Sequence, residues 1–208
     1  MKKILGIVVL GLLLSTSAYT DDIKDFQIEN ISIGDSALDY FTESKLEDGE
    51  LDWFNYSYKE FATSLVSGKG IYDWFKISYK SDDDNFTIEG LVGIVVKKKY
   101  DDAECNKEID SAALNISWLF KNTKKGKKQL YKVIYNPRKI FQEPNPSGKS
   151  IATSISFDFK DEGKIILSCY NMDEATNQID SPIKDINQFD TFRIDIRSKV
   201  FTHYLEKG

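Results

Sequence analysis

Only two cysteines occur in the chain, Cys105 and Cys169, and the hydrophobic pattern puts each of them on an apolar face. Cys105 opens the stripe Cys105, Ile109, Ala112, Ala113, Ile116, Leu119 and Phe120. Spacings of three and four residues mark one side of an α-helix, predicted over about 102–121. Asp101 or Asp102 supplies its N-cap, and Lys121, Lys124 and Lys125, followed by Gly126, supply its C-terminal end.

Cys169 closes a strand running from Lys164 to Tyr170, which reads as a hairpin with Ser150–Phe159 around Asp161, Glu162 and Gly163. With Gly163 as the left-handed residue, Phe159 faces Ile165, Phe157 faces Leu167 and Ile155 faces Cys169. Cys169 therefore shares the apolar side of the sheet, and the helix stripe must cover a sheet face. The two cysteines can meet across that interface, and closing their 64-residue separation is worth about 4 kcal/mol in the chain-entropy account.

A disulfide calls for an oxidising compartment. Met1, Lys2 and Lys3 precede an apolar run, Ile4 to Leu14, and Thr16 and Ala18 fit small-x-small cleavage. Residues 1–18 are thus expected to be a secretory signal peptide, and 19–208 a single α+β domain. The apolar run is too short to cross a bilayer, no cysteine near the cleavage point invites a lipid anchor, and no later stretch suggests a transmembrane segment in the mature chain. The expected location is the periplasm or outside the cell.

Composition narrows the chemistry. One histidine and two cysteines among 208 residues exclude a multi-histidine metal site and an iron–sulfur cluster, so no metal and no cofactor is expected. A net charge of −5 disfavours nucleic acid as a partner. Charge is also segregated: residues 21–60 hold 12 acidic and 3 basic side chains, and residues 97–139 hold 12 basic and 5 acidic.

The remaining elements follow from alternation and capping. Asp35 or Ser36 can cap a short helical piece, and Ser44 with Glu47 has capping-box spacing for a second, with Ile31 and Ile33 stapled to the core. Phe54, Tyr56 and Tyr58 alternate as a strand, Ile71, Phe75, Ile77 and Tyr79 share one face of the next, and Phe86–Val96 is the strongest strand. In that strand Phe86, Ile88, Val92, Ile94 and Val96 line the main apolar face, and Gly90 and Gly93 signal a bend or a close approach by another element. A last strand, Phe192–Arg197, leads to a terminal helical turn capped by Ser198 that can bury Phe201 and Leu205. The fold class is α+β: a largely antiparallel sheet with one long helix on a face and short helical pieces at both ends.

Four constellations bear on function. Gly34-Asp35-Ser36 resembles the Gly-Asp-Ser block of small secreted esterases and lipases, with Ser36 as nucleophile, but Val200 stands where that family's Asp precedes the histidine, here His203, and the Gly-x-Asn block is missing. Gly148-Lys149-Ser150 lacks the first glycine of a phosphate loop, and Asp82-Asp83-Asp84 lacks the spacing and closing Glu of a calcium loop. Trp53, Tyr56, Tyr58, Tyr72 and Trp74 can form an aromatic shelf for sugar or peptide, or part of the core. Lys97, Lys98 and Lys99 before the long helix, and Lys124, Lys125, Lys127 and Lys128 after it, are candidate contacts for an anionic partner, expected at opposite ends of a helix about 30 Å long.

The stretch from Ile31 to Phe41, with Gly34-Asp35-Ser36 at its centre, resembles a group of small exported proteins of low-GC marine bacteria, as does Gly148–Phe157 with the cysteine of the following strand. That resemblance implies export and fold and no activity. A fainter one, over the Ile-x-x-Gly-x-Ser helix start, is to small α+β modules of outer-membrane assembly lipoproteins, whose anchoring cysteine this chain lacks. The expectation is a non-enzymatic exported binding module of the bacterial envelope, its partner a protein or a glycan.

Overall fold

Alternation of polar and apolar residues from Phe61 onward produces a nine-stranded antiparallel sheet, with eight strands on one path. The computed structural model describes residues 22–51, 60–97, 101–136, 139–143, 150–172 and 190–207, with side chains omitted for 132–136 and 139–143. The signal-peptide reading, the Phe54–Tyr58 strand and Gly148-Lys149 lie outside the described residues.

In chain order the strands are β1 (Gln27–Ile28), β2 (Ile31–Ser32), β3 (Phe61–Ser67), β4 (Trp74–Lys80), β5 (Gly90–Lys97), β6 (Lys124–Lys125), β7 (Gln129–Asn136), β8 (Lys139–Glu143), β9 (Ile151–Asp158), β10 (Lys164–Asn171) and β11 (Asp190–Arg197). The helices are α1 (Glu43–Asp48), α2 (Asp102–Leu119) and α3 (Lys199–Lys207). The large sheet runs β3-β4-β5-β11-β10-β9-β7-β8, with β6 also on β9, and β1-β2 is a separate hairpin. This is the α+β architecture that the sequence predicts.

One face of the large sheet is covered by α2 and by the N-terminal segment. Ile109, Ala113 and Ile116 of α2 meet Phe157, Ile165, Leu167, Ile194 and Ile196 in one core. Cys105 in the first turn of α2 is bonded to Cys169 of β10, with Cα atoms 5.9 Å apart, so the predicted staple between helix and sheet is present. Asp101 caps α2 by accepting from Glu104 N–H at 2.7 Å.

The glycines of β5 mark close approaches, one on each face. A Cβ on Gly93 would sit 2.6 Å from the Tyr72 ring and 2.8 Å from Ile28 Cδ1, and one on Gly90 would sit 2.5 Å from the Phe201 ring of α3. The sheet can therefore carry the N-terminal hairpin on one side and α3 on the other only where side chains are absent.

Several local expectations are corrected. The hairpin register differs by two residues: Phe157 faces Ile165, Ile155 faces Leu167 and Thr153 faces Cys169. A slip of two preserves which face each side chain takes, so the cysteine pairing survives it. The loop spans Phe159–Gly163, and Glu162, not Gly163, takes the left-handed conformation at φ 66°. Gly163 is needed for another reason, since a Cβ there would meet Ile23 at 2.6 Å.

Helix α2 stops at Leu119, and Lys124 and Lys125 are not its end but a strand that pairs with Asp158 and Phe157. From Lys125↔Phe157 to Gln129↔Ser154, three residues on one strand oppose two on the other, so β6 and β7 are one strand interrupted by a bulge.

β5 begins only at Gly90; before it, Phe86 sits at φ 50° and Thr87 forms an isolated bridge with Ser36. Its core face carries Leu91 and Val95, while Val92, Ile94 and Val96 face the other way. α1 starts after Thr42, whose side chain makes no capping hydrogen bond, rather than at a Ser44–Glu47 box, and Ile71 lies exposed outside β4. Strand β3 escaped the hydrophobic pattern because Thr63 and Ser64 interrupt it; in the fold Ser64 Oγ donates to Leu46 O at 2.6 Å and bonds Tyr79 Oη at 2.8 Å, which satisfies it in the core.

Candidate functional site

The second face of the sheet, away from α2, is built from the residues that strand alternation turns out of the core. β11 sends Phe192, Ile194 and Ile196 into the core and Thr191, Arg193, Asp195 and Arg197 to the opposite face. Strand pairing then sets these residues in rows. One row runs Trp74, Ile94, Arg193, Ser168, Ser154, Gln129, and the next runs Lys76, Val92, Asp195, Ile166, Ser156. A third joins Val96, Thr191, Tyr170, Ala152 and Tyr131. Neighbouring strands lie about 4.8 Å apart, so the backbones of Trp74 and Arg193 are separated by about 10 Å.

Charge is concentrated at the centre of this face. The Arg193 guanidinium stacks on the Tyr170 ring, 4.2 Å from its centroid, and its Nε–H donates to Thr191 Oγ1 at 2.9 Å. Arg197 Nε lies 3.0 Å from both carboxylate oxygens of Asp195, and its NH2 group also bonds Oδ2. Lys164, one strand over, reaches Glu206 of α3 at 3.2 Å and Asp158 at 3.8 Å. Among the described residues, Arg193 makes no ion pair, because the nearest carboxylate on its strand is already taken by Arg197.

The face is withdrawn from bulk water without being apolar. Ile94 and Thr191 are fully buried, and Ser78, Ser168 and Lys76 are nearly so. Burial, and next the charge of Arg193, push the Lys76 ammonium down to about 7, with Asp195 acting in the opposite sense. Burial also lowers the Arg193 guanidinium below its ordinary range, opposed by Tyr170 and Asp195. Two cations held near each other in a poorly hydrated setting form an electrostatic arrangement typical of binding and catalytic sites.

The residues that the sequence singled out are scattered. Trp53, Tyr56, Tyr58, Lys98 and Lys99 lie outside the described residues. Tyr72 belongs to the core, 5.5 Å from Phe75 between ring centroids, and its hydroxyl is raised beyond its ordinary range by burial first and by Glu29 second. Trp74 is half-buried at the end of the Arg193 row, so the aromatic shelf keeps it alone among the described residues of that set.

Among the described lysines, Lys97 and Lys128 are both drawn onto α2. Lys97 bonds Glu108 at 2.8 Å, and Lys128 folds back along α2 to Asp110 at 2.6 Å and Asn106 at 3.2 Å. Lys125 lies 5.9 Å from the Phe157 ring centroid, and Lys124 and Lys127 are exposed.

Ser36 is a capping residue: its Oγ accepts from Leu38 N–H at 3.3 Å and donates to Asn85 O at 2.7 Å. His203 pairs instead with Glu162 at 3.0 Å. Asp83 closes its turn by accepting from Asn85 and Thr87 N–H groups, and the contacts with Thr87 are the main reason its carboxyl lies below the usual range. Among the described residues, no group of three or more His, Cys, Asp or Glu could hold a metal ion.

Sequence reasoning missed Lys76, Tyr170, Arg193, Asp195 and Arg197. The alternation Phe192-Arg193-Ile194-Asp195-Ile196-Arg197 was visible, but an amphipathic strand is normally read as having a solvated polar side. A second surface lies on the outer side of α2, where Leu114 and Trp118, one turn apart, are 67% and 74% exposed. Comparison with family models, curated proteins and solved structures gives no match to this chain.

Proposed function

We propose that the chain is an exported binding module of the bacterial envelope, non-enzymatic, which meets its partner with the sheet face bearing Trp74, Lys76, Tyr170 and Arg193. The observation that carries this reading is Arg193: its guanidinium is fixed by Tyr170 and Thr191 yet has no carboxylate partner among the described residues. An immobilised, partly desolvated guanidinium is prepared for an anionic group, because the ordering cost of the side chain has already been met in folding. Binding is favoured over chemistry because Ser36 and His203 are each held by other groups.

Export is supported by the Met1–Ala18 pattern and by the Cys105–Cys169 disulfide, which is stable in an oxidising compartment. Among the described residues no helix is long and apolar enough to cross a membrane. The partner is an envelope protein or a glycan.

The test is cell fractionation followed by affinity capture from envelope extracts. The exported form should begin at Tyr19 and enrich an envelope component, and Arg193→Gln should lose most of that enrichment. Recovery of the protein only in the cytoplasm, with its first 18 residues intact, contradicts the export reading, and absence of any enriched component contradicts the binding role.

A further inference from the structure

Taking the binding role above as its basis, we infer that the second face of the sheet holds a carboxylate-bearing saccharide, and that Arg193 grips the carboxylate. A guanidinium offers a planar fork of N–H donors that matches the two oxygens of a carboxylate, which a lysine ammonium cannot do. Arg193 spends its Nε–H on Thr191 and one ring-sized face on Tyr170, which leaves its two terminal NH2 groups to form that fork.

The surroundings suit a sugar. Ser154, two strands from Arg193 on the same row and only partly buried, provides a hydroxyl that both donates and accepts, as sugar hydroxyls require. Trp74, at the end of the Arg193 row, and Tyr170 provide aromatic surface for the apolar faces of sugar rings.

The charge balance argues for a carboxylate over a polyphosphate. Lys76 stands on the neighbouring row as a second cation near Arg193, but Arg197 is paired with Asp195 and Lys164 with Asp158 and Glu206, so carboxylates border these two and the face does not form a broad positive field. A ligand with one anionic oxygen pair per sugar fits between those carboxylates; a densely charged phosphate chain would meet them.

The experiment is calorimetric titration of the full exported protein with three probes, an oligogalacturonate, an alginate oligomer and sialyllactose, alongside the oligogalacturonate methyl ester, inorganic phosphate and phosphatidylglycerol vesicles. At least one acidic saccharide should bind, and for an oligogalacturonate site the methyl ester should bind at least tenfold more weakly. Arg193→Gln should weaken binding at least tenfold. Arg193→Lys, which keeps the charge and loses the fork, should weaken it several-fold with an unchanged melting temperature, and this variant carries the test if Arg193→Gln does not fold. The inference is overturned if no acidic saccharide binds, if the methyl ester binds equally, if Arg193→Lys binds as the wild type does, or if only phosphate or the vesicles bind. An envelope component captured equally by wild type and Arg193→Gln removes the saccharide assignment and leaves a binding module; no captured component removes both.

Discussion

Asp195 and Arg197 stand two residues apart on the same side of β11, and Arg197 engages both carboxylate oxygens of Asp195. This pairing within one strand decides the character of the whole face. Asp195 is close enough to act on Arg193 and Lys76 electrostatically, but its oxygens are committed to Arg197. In the proposed binding role, the capacity of Arg193 to take an anion therefore depends on the pairing of its neighbour Asp195 with Arg197.

Removing that neighbour should redirect Asp195. In Arg197→Gln the released carboxylate is expected to turn toward Arg193 and compete with ligand, so that captured envelope component falls several-fold. The pair's side chains are 24% and 18% exposed, and the stability cost should be about 1 kcal/mol. Parallel capture and urea titration read both quantities, and a loss of stability with unchanged capture would contradict the coupling.

The disulfide should matter most to unfolding. Replacing both cysteines by alanine is expected to cost about 2–4 kcal/mol, measured as a lower urea midpoint, since Cys105 and Cys169 close a separation of 64 residues. Mass spectrometry of the exported protein without reduction should recover a Cys105–Cys169 crosslink, and two alkylatable thiols would refute it.

Lys76 should make stability depend on pH in a definite direction. Its ammonium is lowered from 10.5 to about 7 in the fold, so between those values the unfolded chain binds more protons than the folded one. Stability should therefore rise with pH across that window, and the full penalty of burying the charge applies below pH 7. Lys76→Met should raise the melting temperature at pH 6, and the gap to wild type should narrow by pH 10. A pH-independent gap would mean that burial of the ammonium is not what costs stability.

Gly93 should tolerate no side chain. Gly93→Ala would drive a methyl group into the Tyr72 ring and Ile28, at a cost of about 1–3 kcal/mol, visible as a lower urea midpoint. An unchanged midpoint would show that the N-terminal hairpin does not press on β5 as the structure has it.

Local periodicity made most of the fold legible, and pairing across long separations hid the site. The stripe from Cys105 to Phe120 and the apolar alternation of β9 and β10 were enough to place helix against sheet, and a two-residue error in register did no harm because side chains repeat every two residues along a strand. Glu162 could not be read as the left-handed residue, because the adjacent Gly163 is the more natural choice. β3 was hidden by Thr63 and Ser64, whose burial depends on hydrogen bonds to partners 15 to 18 residues away. The candidate site was illegible for a related reason. Lys76 and Arg193 are 117 positions apart in sequence, and only the strand order β4-β5-β11 brings them onto neighbouring rows.

The most direct test is to map the bound surface by amide chemical shifts, titrating isotope-labelled protein with the envelope fraction or acidic saccharide that it captures. The account predicts perturbations concentrated on Trp74, Lys76, Ser168, Tyr170, Arg193 and Asp195, with α2 unaffected. Perturbations confined to the outer side of α2 around Leu114 and Trp118, with the second sheet face silent, would contradict it.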